Sequence, residues 1–171
     1  MPNMKWCILI GACLFGMIAN AQVKLFADSS YVEDGALVLS FKLSNKTAFD
    51  KTILMDNRKT LYQTNSSGLD SIIHQNVPQN VILFIDKHGI IEEGTEQCDH
   101  QLPQITERKL KGGDEYLLNF ETRCLSDSVL TQLNKGKRLS YKMYISYIEN
   151  GTIHFVETPL TKLRVTKPTF R

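Results

Sequence analysis

Few side chains in this 171-residue chain could do chemistry, and they are scattered. Cys98-Asp99-His100 sets a thiol beside a carboxylate and an imidazole, neighbours that could turn a thiol into a nucleophile. Cys98, His100 and Cys124, joined by His88, could instead offer sulfur and nitrogen to a metal. Zinc sites are built from close pairs such as Cys-x-x-Cys, and these spacings are not of that kind. The favoured reading is a structural disulfide between Cys98 and Cys124, closing a loop worth about 3.5 kcal/mol in the chain-entropy model. Glu92, Glu93 and Glu96 near His88 supply oxygen ligands suited to calcium but lack the EF-hand spacing, so they read as a solvated strand end. His74, His88, His100 and His154 lie far apart in sequence and read as solvated imidazoles.

Other motifs give less. No Gly-x-Ser-x-Gly elbow exists, and Ser66-Ser67-Gly68 reads as loop. Gly112-Gly113 precedes a strand where a phosphate cradle would need a helix. Beyond residue 21 only Met55 and Met143 remain for copper, and Met143 falls on the core side of a strand. No cofactor or metal is expected. Lys135, Lys137 and Arg138 form a local basic spot, with Lys111 and Arg108 elsewhere, that could contact phosphate or anionic glycans. The formal net charge of only +2 argues against a dedicated site and against a nucleic-acid footprint. Asn45-Lys46-Thr47, Asn65-Ser66-Ser67 and Asn150-Gly151-Thr152 match glycosylation acceptors, a motif short enough to recur by chance.

The compartment is read from the first 21 residues. Lys5 is their one charged side chain, Trp6 to Ile18 is apolar, and Ala19-Asn20-Ala21 is a small-x-small cleavage site that leaves Gln22 as the mature N-terminus. The apolar run is shorter than the roughly 20 residues of a spanning helix. Ile10-Gly11-Ala12-Cys13 is a loose lipobox, but the run continues past Cys13 to the better site, so a lipid anchor is not expected. The expected product is a periplasmic or secreted bacterial domain, residues 22–171. Cys7 and Cys13 leave with the leader, and Cys98 and Cys124 enter an oxidising compartment.

Alternating apolar residues then specify strands. Leu37, Leu39, Phe41 and Leu43 form the buried face of a second strand, sending Val38, Ser40 and Lys42 outward, and Asn45-Lys46-Thr47 ends it. Short candidates follow at 51–56, 59–64 and 70–75, then Val81, Leu83 and Ile85, a turn at Asp86-Lys87-His88-Gly89, and a return at Ile90 and Ile91. Gln97 to Thr106 reads as a long connection. Lys111-Gly112-Gly113-Asp114 is a turn into Tyr116, Leu118, Phe120 and Thr122. Ser126 caps a short helix over Asp127 to Leu133, and Leu139, Tyr141, Met143, Ile145 and Tyr147 give the longest alternation.

At Glu149-Asn150-Gly151, a three-residue turn would pair Tyr147 with Ile153 and Ile145 with Phe155, collecting these apolar groups on one face. Tyr144, Ile148, His154 and Val156 would then share the outer face as a candidate partner contact. Pro159 interrupts the return before Leu163 and Val165.

Seven to nine short strands with one helix predict an all-β, immunoglobulin-like antiparallel β-sandwich. The run Leu37-x-Leu-x-Phe-x-Leu-x-Asn45, followed by Lys111-Gly112-Gly113-Asp114-x-Tyr116, resembles the strand and turn pattern of exported bacterial immunoglobulin-like accessory modules. More distantly it resembles the proteinase-inhibitor family typified by the intracellular bacillus inhibitor. The resemblance spans about half the chain, implies the sandwich fold and carries over no inhibitory residue. Two kinds of function fit. One is a non-catalytic protein-binding module of inhibitor, immunity or envelope accessory type, with another protein as partner. The other is a small enzyme or ligand-binding protein whose site assembles from loops around His88, Glu92, Asp99 and His100.

Overall fold

The computed structural model describes residues 23–33, 36–56, 60–92, 104–122 and 125–165. Residues 1–22, with the expected leader among them, lie outside the described residues, as do Cys98, Asp99, His100, Cys124, Glu93 and Glu96. Among those described, the chain is mostly β, in two sheets with two helices. Eleven strands occur among the described residues, where seven to nine were expected. No described helix is long and apolar enough to cross a membrane.

The smaller sheet is built on the clearest alternation. β2 (Ala36–Asn45) sits between β1 (Val23–Glu33) and β8 (Glu115–Thr122), antiparallel to both. Its residues Leu37, Leu39, Phe41 and Leu43 are completely buried, beside Leu25 of β1 and Leu118 and Phe120 of β8. Lys42 is exposed as expected, but Val38 and Ser40 are buried too. As the central strand, β2 has its outward side chains flanked on both sides. Val38 lies between Tyr31 and Glu121, and the Ser40 hydroxyl donates to Asn119 Oδ1 at 2.7 Å.

The larger sheet centres on β9 (Ser140–Glu149), with β3 (Lys51–Asp56) and β7 (Ile105–Leu110) on one side. On the other side are β5 (Val81–Asp86) and the two-residue β4 (Tyr62–Gln63). The short β6 (Gly89–Ile90) returns on β5 through the turn expected at Asp86 to Gly89, while β10 (Thr152–Glu157) and β11 (Thr161–Lys162) pair with β9. Ile53, Met55, Ile82, Phe84, Tyr141, Met143 and Ile145 face the smaller sheet and complete the core. Phe41 spans the interface, meeting Phe120 and Tyr141 edge-on with ring centroids 6.1 Å apart in each case. Helix α2 (Asp127–Asn134) adds Val129 and Leu133 to the core, its N–H of Val129 capped by the Ser126 hydroxyl at 3.4 Å.

Three expectations are corrected. Residues 70–75 are not a strand but part of α1 (Ser66–His74), which connects β4 to its parallel neighbour β5. Parallel neighbours need such a crossover, so the larger sheet is mixed rather than wholly antiparallel. Asn65 Oδ1 caps α1 by accepting Gly68 N–H at 2.8 Å, and Leu69 and Ile72 pack with Val81, Leu83 and Tyr144 into a second cluster on the outer face of the larger sheet. Val81 and Leu83 therefore face α1, and Ile82 and Phe84 face the main core. Residues 105–110, read partly as connection, form β7; its mostly charged composition gave no apolar alternation to follow.

The third correction is the hairpin. Asn150 and Gly151 take φ of 52° and 74°, and Glu149 pairs directly with Thr152, so the turn has two residues, not three. Ile148 opposes Ile153, Tyr147 opposes His154 and Ile145 opposes Val156. The apolar groups are split between two faces because both faces have something to cover: Val156 packs on the main core, while Tyr144 belongs to the cluster under α1.

Candidate functional site

The most tightly constructed loop joins β2 to β3. Asn45 and Thr47 are buried polar residues, and burial obliges them to find partners. Asn45 Nδ2 lies 2.8 Å from the carbonyl of Phe49, 3.1 Å from that of Leu110 and 3.2 Å from that of Lys111, so its two hydrogens serve three acceptors. Asn45 Oδ1 accepts the Thr47 N–H at 3.1 Å. The Thr47 hydroxyl lies 2.7 Å from both Asn45 Oδ1 and the Phe49 carbonyl, and accepts the Phe49 N–H at 3.2 Å. The backbone of Asn45 closes the arrangement, donating to Asp114 O at 3.0 Å and accepting from Gly113 N at 2.9 Å. The stretches 37–45 and 111–116 thus meet at Asn45.

The turn at Lys111 to Asp114 admits little but glycine. Gly113 has φ of +83°, and a Cβ on Gly112 would sit 2.6 Å from backbone atoms of Ala48. Gly112 donates its N–H to Asp50 Oδ1 at 3.2 Å. Asp50 also pairs with Lys109 at 2.7 Å; the Lys109 hydrogen bond, then the Gly112 N–H, hold its carboxyl below the usual range. Glu115 pairs with Lys42 at 2.6 Å and Lys46 at 3.0 Å, and their hydrogen bonds bring it down to about 2.

This scaffold carries Phe49, whose neighbours in the loop are small or polar. Phe49 is 76% exposed, the most exposed of the large apolar side chains described. Its backbone is held through both N–H and carbonyl while its ring faces solvent. An aromatic fixed in this way loses little freedom on docking, and its chain neighbour Asp50 is already paired with Lys109. The arrangement is suited to recognition; it contains no nucleophile with an adjacent base.

The residues singled out from sequence are not gathered there. His88 lies exposed in the β5–β6 turn, its N–H given to Asp86 Oδ1 at 2.7 Å. Glu92 is occupied at the start of α1, its carboxylate accepting the Ser66 hydroxyl at 2.7 Å and the Ser66 N–H at 3.3 Å. With Asp99 and His100 outside the described residues, the loop cluster of four is not assembled among those that can be placed. No group of three metal-ligating side chains occurs among the described residues. Met55 and Met143 are both core.

The candidate contact face is divided. Tyr144 and Ile148 project to one side of the hairpin, His154 and Val156 to the other, because the turn is one residue shorter than expected. Tyr144 is buried beneath α1, and burial followed by its hydrogen bond to Glu157 raises its pKa. His154 stacks on Tyr147, centroids 5.4 Å apart. Asn45, read as a glycosylation acceptor motif, is buried with its amide engaged. The loop at Phe49 was missed in sequence because Asn45-Lys46-Thr47 reads equally as a simple strand end; the signal was an aromatic isolated among polar residues two positions past Thr47.

Compared with known proteins, the chain matches no protein-family model and no curated protein.

Proposed function

We propose that this chain is an exported, non-catalytic protein-binding module, periplasmic or secreted, that engages a partner protein through Phe49. The observation that carries this reading is the exposed Phe49 ring on a backbone anchored by Asn45 and Thr47. Loops positioned by a rigid sandwich are common places for binding residues, and exposed aromatics are frequent anchors. The leader-like first 21 residues support export. The resemblance to exported immunoglobulin-like accessory modules agrees with the same role. Export further implies that Cys98 and Cys124 are joined, so thiol counting on denatured exported protein should find none free.

The test is site-specific photo-crosslinking. A photoreactive phenylalanine at position 49 should capture one discrete protein in the native envelope, and the same group at exposed Leu160 should not. Phe49→Ser should weaken the purified complex by at least about 30-fold, the size of a hot-spot loss, with the melting temperature unchanged. Equal crosslinking at both positions, or unaltered affinity of the variant, refutes the assignment.

A further inference from the structure

Of the basic spot noticed in the sequence, Lys137 and Arg138 but not Lys135 are joined in the fold by two further cations. Lys137 and Arg138 follow α2, and Lys162 and Arg164 come from the C-terminal stretch; together they line one cavity of about 460 Å³ with Leu133, Leu139, Leu163 and Val165. Lys111 and Arg108 belong instead to the β7 edge. No acidic side chain lines the cavity, and none of the four cations makes an ion pair or a side-chain hydrogen bond among the described residues. Elsewhere the same molecule neutralises its lysines in pairs, as at Asp50, Glu115, Glu149 and Glu157.

The walls are preorganised. Gly136 at φ +66° donates to Leu133 O at 2.9 Å and Lys137 N to Gln132 O at 3.0 Å, a Schellman closure that fixes where Lys137 and Arg138 leave the helix. Leu163 N donates to Leu139 O at 2.8 Å, tying the second wall to the first, and the Ser30 hydroxyl holds Arg164 O at 2.9 Å. The partial negative charge at the end of α2 accounts for a cation beside that helix, but not for Lys162 and Arg164 on the opposite wall. The floor is apolar: Leu133 and Leu139 are buried, and Leu163 and Val165 are half-buried.

We infer that this cavity binds a single-chain amphiphile with an anionic head, the carboxylate or phosphate lying among the four cations and the tail against the leucines. The volume suits a small ligand, and the two halves of the lining complement the two halves of such a molecule. Neither a bare anion, which would leave the half-buried Leu163 and Val165 uncovered, nor an uncharged chain, which would leave the cations unanswered, matches the lining as well. This site is separate from the Phe49 loop and does not depend on its role.

Titration calorimetry with dodecyl phosphate and with dodecanoate, each below its micellar range, provides the test, with inorganic phosphate and dodecanol as the half-ligands. Both amphiphiles should bind saturably at one site, at least tenfold tighter than either half-ligand, and more weakly as salt rises. The Lys162→Gln/Arg164→Gln variant should lose at least tenfold in affinity with a melting temperature close to that of the parent, and folded Leu163→Asn should lose at least tenfold as well. Lys24→Gln/Lys87→Gln, which removes equal charge elsewhere, and Phe49→Ser should bind as the parent does. Inorganic phosphate or dodecanol equalling dodecyl phosphate overturns the inference. So does unchanged affinity in both cavity variants, or binding seen only to phosphatidylglycerol vesicles and not to the monomeric amphiphile.

Discussion

Asn45 shows how much a single buried amide can organise. Its side chain answers three carbonyls and one backbone N–H in a place without solvent, so replacing it strands several groups at once. Asn45→Ala should cost about 2–4 kcal/mol in urea unfolding, and should also weaken partner binding by freeing Phe49. Glu115 acts differently, at the surface. Its carboxyl is held at about 2 against an ordinary 4.5, so its contribution is complete above 4.5 and is lost as pH falls towards 2. Melting temperatures measured across that window should therefore fall less steeply for Glu115→Gln than for the parent, and the two should run parallel above it. These residues were legible as types but not as roles: nothing in Asn45-Lys46-Thr47 alone shows that its amide reaches Leu110 and Lys111.

At the level of elements, the strands with one apolar stripe were legible, and those covered on both sides were misread. β2 and β8 alternate cleanly because one face of the small sheet makes the core. In β5 and β9, Val81 to Phe84 and Met143 to Ser146 are buried without interruption, since α1 covers the face that the core does not. A continuous apolar run does not say which face is which. The helix itself had a signal in Asn65 as cap with Leu69, Ile72 and Ile73 at helical spacing. The hairpin register has a direct check. Ile148→Cys/Ile153→Cys should oxidise readily to a disulfide, because these residues are opposed, whereas Tyr147→Cys/Ile153→Cys should stay reduced, its side chains being on opposite faces. The reverse result would restore the three-residue turn.

Across the whole molecule, the two sheets meet through a few large side chains, and Phe41 stands at their centre. Phe41→Ala should cost about 3–5 kcal/mol by denaturant unfolding, because its ring touches Phe120 in its own sheet and Tyr141 in the other. A loss below about 1 kcal/mol would mean that the sheets do not rely on this contact. From the sequence alone followed the β character, the strands at 36–45, 115–122 and 140–149, the cap at Ser126 and the glycine turn before β8. Each of these is dictated locally, by a side-chain period of two or by the backbone freedom of a particular residue. The pairing of β4 with β5, the face taken by Tyr144, the anchoring of Phe49 and the meeting of Arg138 with Arg164 were decided only in three dimensions. They depend on groups far apart in the chain, such as Asn45 and Lys111, 66 positions apart, or Lys51 and Glu149, 98 apart. Local patterning carries no information about such encounters, because the free energy that selects them appears only when the whole core closes.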